Sequence, residues 1–405
     1  MTSLVVPDTI DKTGATPVWP QLAAFLATAV PGDTVQFPAN AHYWCDYSLS
    51  LATNGVKYFC EGASFEQHTA RPYGASRTDV TITADGLHFT TGTALPRTCN
   101  YGYINGTGIN PGTEITLDSG LKSGTLNGKP ATPATGLSVI FTSKQDRGRC
   151  GFNISATDWE VHDASWKGVD LNDAYVSTLE GQACVLFSGA GAGLLSNVWA
   201  HDVFGDWLYF GARGTKLTTD VEVVGGGCTA VGRSGIVTPN AQDCSVTRAT
   251  IGGVARTIWD LEPPYAACIM NRFSLTDSII GAHRLNLVSS GGDVNAHVGA
   301  LEFSRNTMMA TQMVLNLTAG APTHYRGPYT IADNVTKNTQ GFGTPLGGLV
   351  LVSHALGATV TGNTGIVLQT GRTPQMAVVR YKSCSGPVVV HSNGFVGGIE
   401  VGPMS

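Results

Sequence analysis

Four charged residues stand at matching places in successive lines of the chain, and they are the groups best suited to chemistry. Asp206, Arg233, Arg256 and Arg284 fall in NVWAHDVFGDWLYFG (197–211), TDVEVVGGGCTAVGRSGIVT (219–238), DCSVTRATIGGVARTIWDLEP (243–263) and RFSLTDSIIGAHRLNLVSS (272–290). A further line, LEFSRNTMMATQMVLNLTA (301–319), puts Gln312 at the same place. Two guanidinium groups side by side could hold a sugar carboxylate bidentately, or could pair with Asp206 for purely structural reasons. Asp260 and Glu262 stand at i and i+2, so one strand would point both to the same face with backbones ~6.6 Å apart. That approximates the spacing of glycosidase carboxylates without fixing the stereochemistry. The same pair could instead bond backbone amides or the arginines where the chain turns at Pro263–Pro264. Asp260, Glu262 and Arg256 are therefore the candidate catalytic residues, with Arg256 serving a lyase and the carboxylates a hydrolase. Asp206, Arg233, Arg284 and Tyr209 are the candidate substrate-binding residues.

Something must bring residues so far apart into one row. Each line has a short alternating apolar run, a Gly-rich bend, the polar residue and a second short apolar run, repeating about every 25 positions. Such a unit cannot bury its own apolar face and must stack on copies of itself. With no helical period in the repeat, the predicted fold is all-β, a parallel β-helix. Stacked coils lie ~4.8 Å apart, so equivalent residues form ladders that a linear polymer could follow.

Composition agrees with that reading. Glycine is abundant (51 residues) and charged residues make up only 13%, as a bend-rich solenoid requires. The net charge of −5 comes without a basic tract, so nucleic acid is an unexpected partner. No stretch is long and apolar enough for a membrane span, and MTSLVVPDTIDKTG lacks the plan of a secretory signal, so assembly in a cytoplasm is expected. The nine cysteines are spread singly, with no CxxC or Cys/His ligand spacing. Most are expected to be reduced packing residues, with Cys228 and Cys244 pointing into the coil, and neither metal nor cofactor is expected.

Taken in order, residues 18–30 (VWPQLAAFLATAV) have helical spacing closed by Pro31–Gly32, and a short helix there would cap the open first coil. Residues 1–70 are expected to be the arm, capping helix and first coils; 71–136 an inserted set of hairpins; and 137–405 the main β-helix. In the insert Tyr73, His88, Phe89, Tyr101, Tyr103 and Asn105 could contact sugar or simply pack on the coil. GLSVIFTS (136–143) is expected to resume the coils. Asn334 and Asn363 sit where bend asparagines adopt left-handed geometry or stack along the coil.

The capping helix with PGDTVQFPANAHYW and NGVKYFCEGASF resembles the N-terminal cap of the pectate-lyase-like right-handed β-helix superfamily. Asn40 stands where that superfamily's phrase usually has Gly. The phrases GDWLYFG, GRSGI and VARTIWDLEP (205–211, 232–236 and 254–263) resemble, more narrowly, β-helix minor tail proteins of actinobacteria and their phages. That likeness implies a virion tail protein contacting host cell-surface polysaccharide, other tail proteins as partners and a homotrimer, with polysaccharide-degrading activity an open question. The alternative is a free polysaccharide lyase or glycoside hydrolase on the same scaffold. With no stem or helix after the last coil, a neighbouring chain or its own loops are expected to cover it.

Overall fold

A computed structural model describes residues 2–46, 48–68, 74–100, 102–110, 113–127, 130–142, 151–168, 182–212, 215–281, 287–309, 315–318, 320–321, 323–340, 348–368, 376–396 and 398–403. One coil shows the plan. Ala241–Thr247 runs along a first face, Arg248 turns the chain with φ of 55°, and Thr250–Ile251 lies on a second face. Residues 252–258 form a corner, and Trp259–Leu261 crosses a third face. Ile269–Thr276 then rejoins the first face directly beside Ala241–Thr247, in parallel. Repeated along the chain, this winding gives one 23-stranded sheet that wraps the first two faces and an 11-stranded sheet on the third. The predicted parallel β-helix is therefore the observed fold.

The alternation within each strand fills the interior. One inner row runs Tyr43, Phe65, Trp166, Ala200, Cys228, Ile251, Ile280 and Met308, each facing the next across adjacent coils. Its wide end stacks ring on ring, with centroids 5.5 Å apart for Tyr43–Phe65 and 4.9 Å for Phe65–Trp166. Cys228 and Cys244 are buried as expected, and the described cysteines are all free thiols. The capping helix spans Trp19–Leu26 and buries Leu22 and Leu26 in this core. Asn40, at the place the superfamily phrase gives to Gly, has φ of 54°, a left-handed bend that Asn tolerates.

The bend between the first and second faces explains the asparagines. Asp277, Arg305, Asp333 and Ser392 carry the left-handed backbone there, and the next residue points inward. Asn306, Asn334, Asn363 and Asn393 form a ladder, each backbone N–H donating to the amide oxygen of the next (2.9 Å from Asn306, 3.1 Å from Asn334 and Asn363). The Asn334 side-chain amide also donates to the Phe303 carbonyl at 3.0 Å and to Asn363 Oδ1 at 2.8 Å. So Asn334 and Asn363 stack, while the residue before each, Asp333 or Gly362, takes the left-handed backbone. Replacing Asn334 by Ala leaves these buried groups unpaired and is expected to cost about 2–3 kcal/mol in urea denaturation. A loss below half of that would show that the ladder is not a main contributor.

The insert holds the expected antiparallel hairpins, and they go further than expected. Six strands between Gly74–Ile82 and Ala134–Thr142 close into an antiparallel barrel. Val80, Phe89, Ile104, Ile115, Leu126 and Phe141 form its own core, separate from that of the solenoid. Residues 136–142, expected to resume the coils, instead pair antiparallel with the barrel's first strand and close it. Phe89 is buried and His88 is exposed against Asp85, so of this pair only the histidine could meet a ligand. Tyr73, Tyr101 and the side chains of Tyr103 and Asn105 lie outside the described residues.

Candidate functional site

The corner between the second and third faces carries the charged row. Arg233 N donates to the Gly205 carbonyl at 2.9 Å, and Arg256 N donates to the Arg233 carbonyl at 2.8 Å. Gly205, Arg233 and Arg256 thus form one row, and Asp206 sits one position further on, beside Ser234. Gly205 is required by the tightness of this corner: a Cβ there would lie 1.8 Å from the Gln182 carbonyl oxygen. On the third face Leu208 faces Ile236 and Ile236 faces Trp259, which brings Asp206, Arg233 and Asp260 to one end of three adjacent coils.

Asp206 is fully buried. Its Oδ2 accepts from Arg233 Nη1 at 3.0 Å and its Oδ1 from the Ser234 backbone N–H at 2.9 Å. The other end of the Arg233 guanidinium donates through Nη2 to Glu262 and lies 4.0 Å from Asp260 Oδ2. Exposure rises through the stack, from none for the Asp206 side chain to 7% for Arg233, 11% for Asp260 and 43% for Glu262. The i, i+2 spacing therefore does what the sequence suggested, placing both carboxylates on one face and over one guanidinium.

Two expected substrate contacts are corrected here. Asp206 has no surface to offer a polymer, and Arg233 already meets Asp206 and Glu262, so its fork is not available to a sugar carboxylate. Both are the foundation of the site: Asp206 opens its strand, and Arg233, in the corner of the next coil, covers it. Tyr209 is partly exposed on the outer row that continues through Val237 to Asp260, and Arg256 is partly exposed at the corner. Arg284 and Gln312 lie outside the described residues, as does His283. Ser234, whose backbone amide holds Asp206, escaped sequence reasoning because a main-chain donor leaves no mark in residue type.

Burial pushes the Asp206 carboxyl up to about 7 from its ordinary 3.8; Arg233 and the Ser234 amide offset part of this, and the nearby Asp260 charge adds to it. Burial alone would lower the Arg233 pKa, but Asp206, Glu262 and Asp260 together outweigh it and hold the guanidinium above its usual value. A carboxyl raised in the folded state contributes stability that is complete below about pH 4 and is lost as pH rises through about 7. The urea midpoint of the wild type is therefore expected to fall between pH 5 and pH 8, and that of Asp206→Asn to stay flat. Parallel profiles for the two proteins would overturn this.

The remaining candidates are dispersed. Trp207 and Trp259 are core residues, whereas Trp199 stands exposed on the second face with its Nε1 donating to Asn197 Oδ1 at 2.8 Å. His201 pairs with Asp202 at 2.6 Å, and His162 with Glu160 at 2.9 Å while stacking on Phe59. Among the described residues no group of three or more His, Cys, Asp or Glu is placed to hold a metal ion, and no helix is long and apolar enough to cross a membrane.

No protein-family profile matches the chain, and no curated protein matches it by sequence. Solved structures do match in shape. The endo-xylogalacturonan hydrolase of Aspergillus tubingensis aligns with a TM-score of 0.56 at 10% identity, covering 98% of this chain and 95% of that one. PfbA, a surface adhesin of Streptococcus pneumoniae, aligns at 0.54 and 12% identity, covering 98% and 93%. The tailspike of E. coli bacteriophage HK620, solved with a pentasaccharide, aligns at 0.53 and 9% identity, covering 99% of this chain and 65% of the tailspike. At these identities the likeness concerns the fold alone, and the fold this chain shares with them is the right-handed parallel β-helix.

Proposed function

We propose that the chain is a glycan-binding β-helix protein of a phage tail, contacting host cell-surface polysaccharide and cleaving it by hydrolysis at Asp260 and Glu262. The observation that carries this is the carboxylate pair, Asp260 nearly enclosed and Glu262 half open to solvent, seated on a buried Arg233–Asp206 base. A guanidinium shared by Glu262 and close to Asp260 fixes both acids before any substrate arrives, which is the preorganisation that acid–base chemistry on a glycosidic bond needs. Asp260, the more enclosed, is placed as proton donor to the leaving oxygen, and Glu262, open to solvent, as the group that meets water. Hydrolysis is favoured over elimination because Arg233, which neighbours both acids, is already engaged by protein carboxylates.

The tail location, a homotrimer and contact with other tail proteins are part of the same proposal. They draw support from the narrower sequence likeness and from the shape shared with the bacteriophage tailspike. The free glycoside hydrolase remains a second reading, favoured by the acid pair itself. Purified protein incubated with a panel of bacterial surface polysaccharides is expected to bind at least one and to release new reducing ends. Quantitative mass spectrometry of particles should then find the chain in the virion. Binding to no member of the panel would overturn the glycan reading, and a chain absent from particles would leave only the free hydrolase.

A further inference from the structure

Beyond Glu262 the chain leaves the third face through Pro263 and Pro264, and residues 264–267 stand out into solvent. Two consecutive prolines restrict the backbone there and make the exit stiff. Tyr265, at the tip, is 50% exposed, and Val294, at the corresponding place on the next coil, is 42% exposed. The correspondence is fixed by two hydrogen bonds, Asp293 N to the Pro263 carbonyl at 2.7 Å and His297 N to the Cys268 carbonyl at 3.1 Å.

The backing of this pair is unusually firm. Gly292 takes φ of 71°, and a Cβ there would sit 2.2 Å from the Pro263 oxygen. Arg326, fully buried, donates from Nη1 to Ser290 Oγ at 2.9 Å and to the Gly291 carbonyl at 3.1 Å, and from Nη2 to the Asp293 carbonyl at 2.7 Å. A guanidinium sunk into the fold and bonded to main-chain carbonyls of one loop serves to hold that loop. The loop it holds is the one carrying Val294.

We propose that Tyr265 and Val294 form an apolar ledge that receives the C–H face of a pyranose ring bound beside Asp260 and Glu262. The inference rests on the glycan reading above and adds the subsite. A pyranose whose axial hydrogens share one side presents an apolar face that an aromatic ring can cover, while its hydroxyls point to water or to the acids. Arg326 is the positioning residue of the ledge and does not touch the sugar.

Affinity electrophoresis of the full chain through gels containing neutral or uronate-bearing bacterial surface polysaccharides provides the test. Tyr265→Ala is expected to weaken retention about tenfold, and Val294→Asp to weaken it comparably. Tyr265→Phe should keep most of the binding, because the ring face makes the contact and the hydroxyl, turned onto Cys268 and Asn240, only anchors the ring. Both side chains are half exposed, so melting temperatures close to that of the wild type are expected, and the Phe variant controls for loss of the hydroxyl's contacts with Cys268 and Asn240. Retention of wild type and Tyr265→Ala to the same extent would remove the ledge and leave the glycan reading standing. If the wild type is retained by no polysaccharide, the glycan reading fails and the ledge fails with it.

Discussion

Replacing Arg233 by Met is expected to destabilise the protein by about 3–5 kcal/mol at pH 8, and by distinctly less at pH 5. Met keeps much of the apolar stem, so the change isolates the charge. Without the guanidinium, Asp206 keeps only the Ser234 amide as a partner and cannot stay ionised in a fully buried position. At pH 5 it is protonated in the wild type as well, since its carboxyl is already pushed up to about 7. The variant then loses only hydrogen bonds. At pH 8 the wild type can carry the ionised pair and the variant cannot, so the gap opens. Asp260 and Glu262 add to the cost through their lost cation, but Glu262 remains partly hydrated. Urea denaturation followed by tryptophan fluorescence reads this directly, because the buried Trp207 adjoins Asp206. The double variant Asp206→Asn with Arg233→Met should recover much of the loss at pH 8. An equal loss at both pH values, or no recovery in the double variant, would show that the pair is not what holds this corner.

The same corner shows what a sequence can and cannot carry. The rows were legible to within one position because a β-helix turns sequence period into contact: Arg233 and Arg256 align, and Asp206 falls one place beyond them. The joint placement of Asp260 and Glu262 was legible for the simpler reason that strands alternate. Whether a residue at such a place is roofed or open depends on the width of its corner and on the neighbouring coil, neither of which residue type encodes. Asp206 and Arg233 therefore read either as surface ligands or as a structural pair, and they are in fact the buried structural pair. The barrel was missed for a related reason: its closure depends on Gly74–Ile82 finding Ala134–Thr142 across the whole insert. Residues 136–143 alternate just as a coil strand does, so local pattern could not separate the two. Tyr265 left only a weak mark, an aromatic behind two prolines, and acquires meaning once Val294 is known to lie on the adjoining coil.

If the carboxylate pair does the chemistry, Asp260→Asn and Glu262→Gln should each lower turnover by about 10²–10⁴-fold while leaving polymer binding within a few-fold of wild type. Both replacements keep the shape and change the charge. Glu262 lies near the surface, so Glu262→Gln should alter stability little, the net worth of a half-exposed ion pair being small. Asp260 is more enclosed, and its exchange relieves one of the three negative charges gathered around Arg233, so Asp260→Asn is not expected to unfold the coil. The two variants should differ in one respect. A leaving group that needs little protonation should restore much of the rate in the variant lacking the proton donor, and little in the variant lacking the base. An aryl glycoside of a good phenol leaving group is therefore expected to rescue Asp260→Asn and not Glu262→Gln. Rescue in the reverse order would exchange the two roles. Full turnover in both variants would place the chemistry elsewhere on the solenoid and reduce this corner to a binding surface.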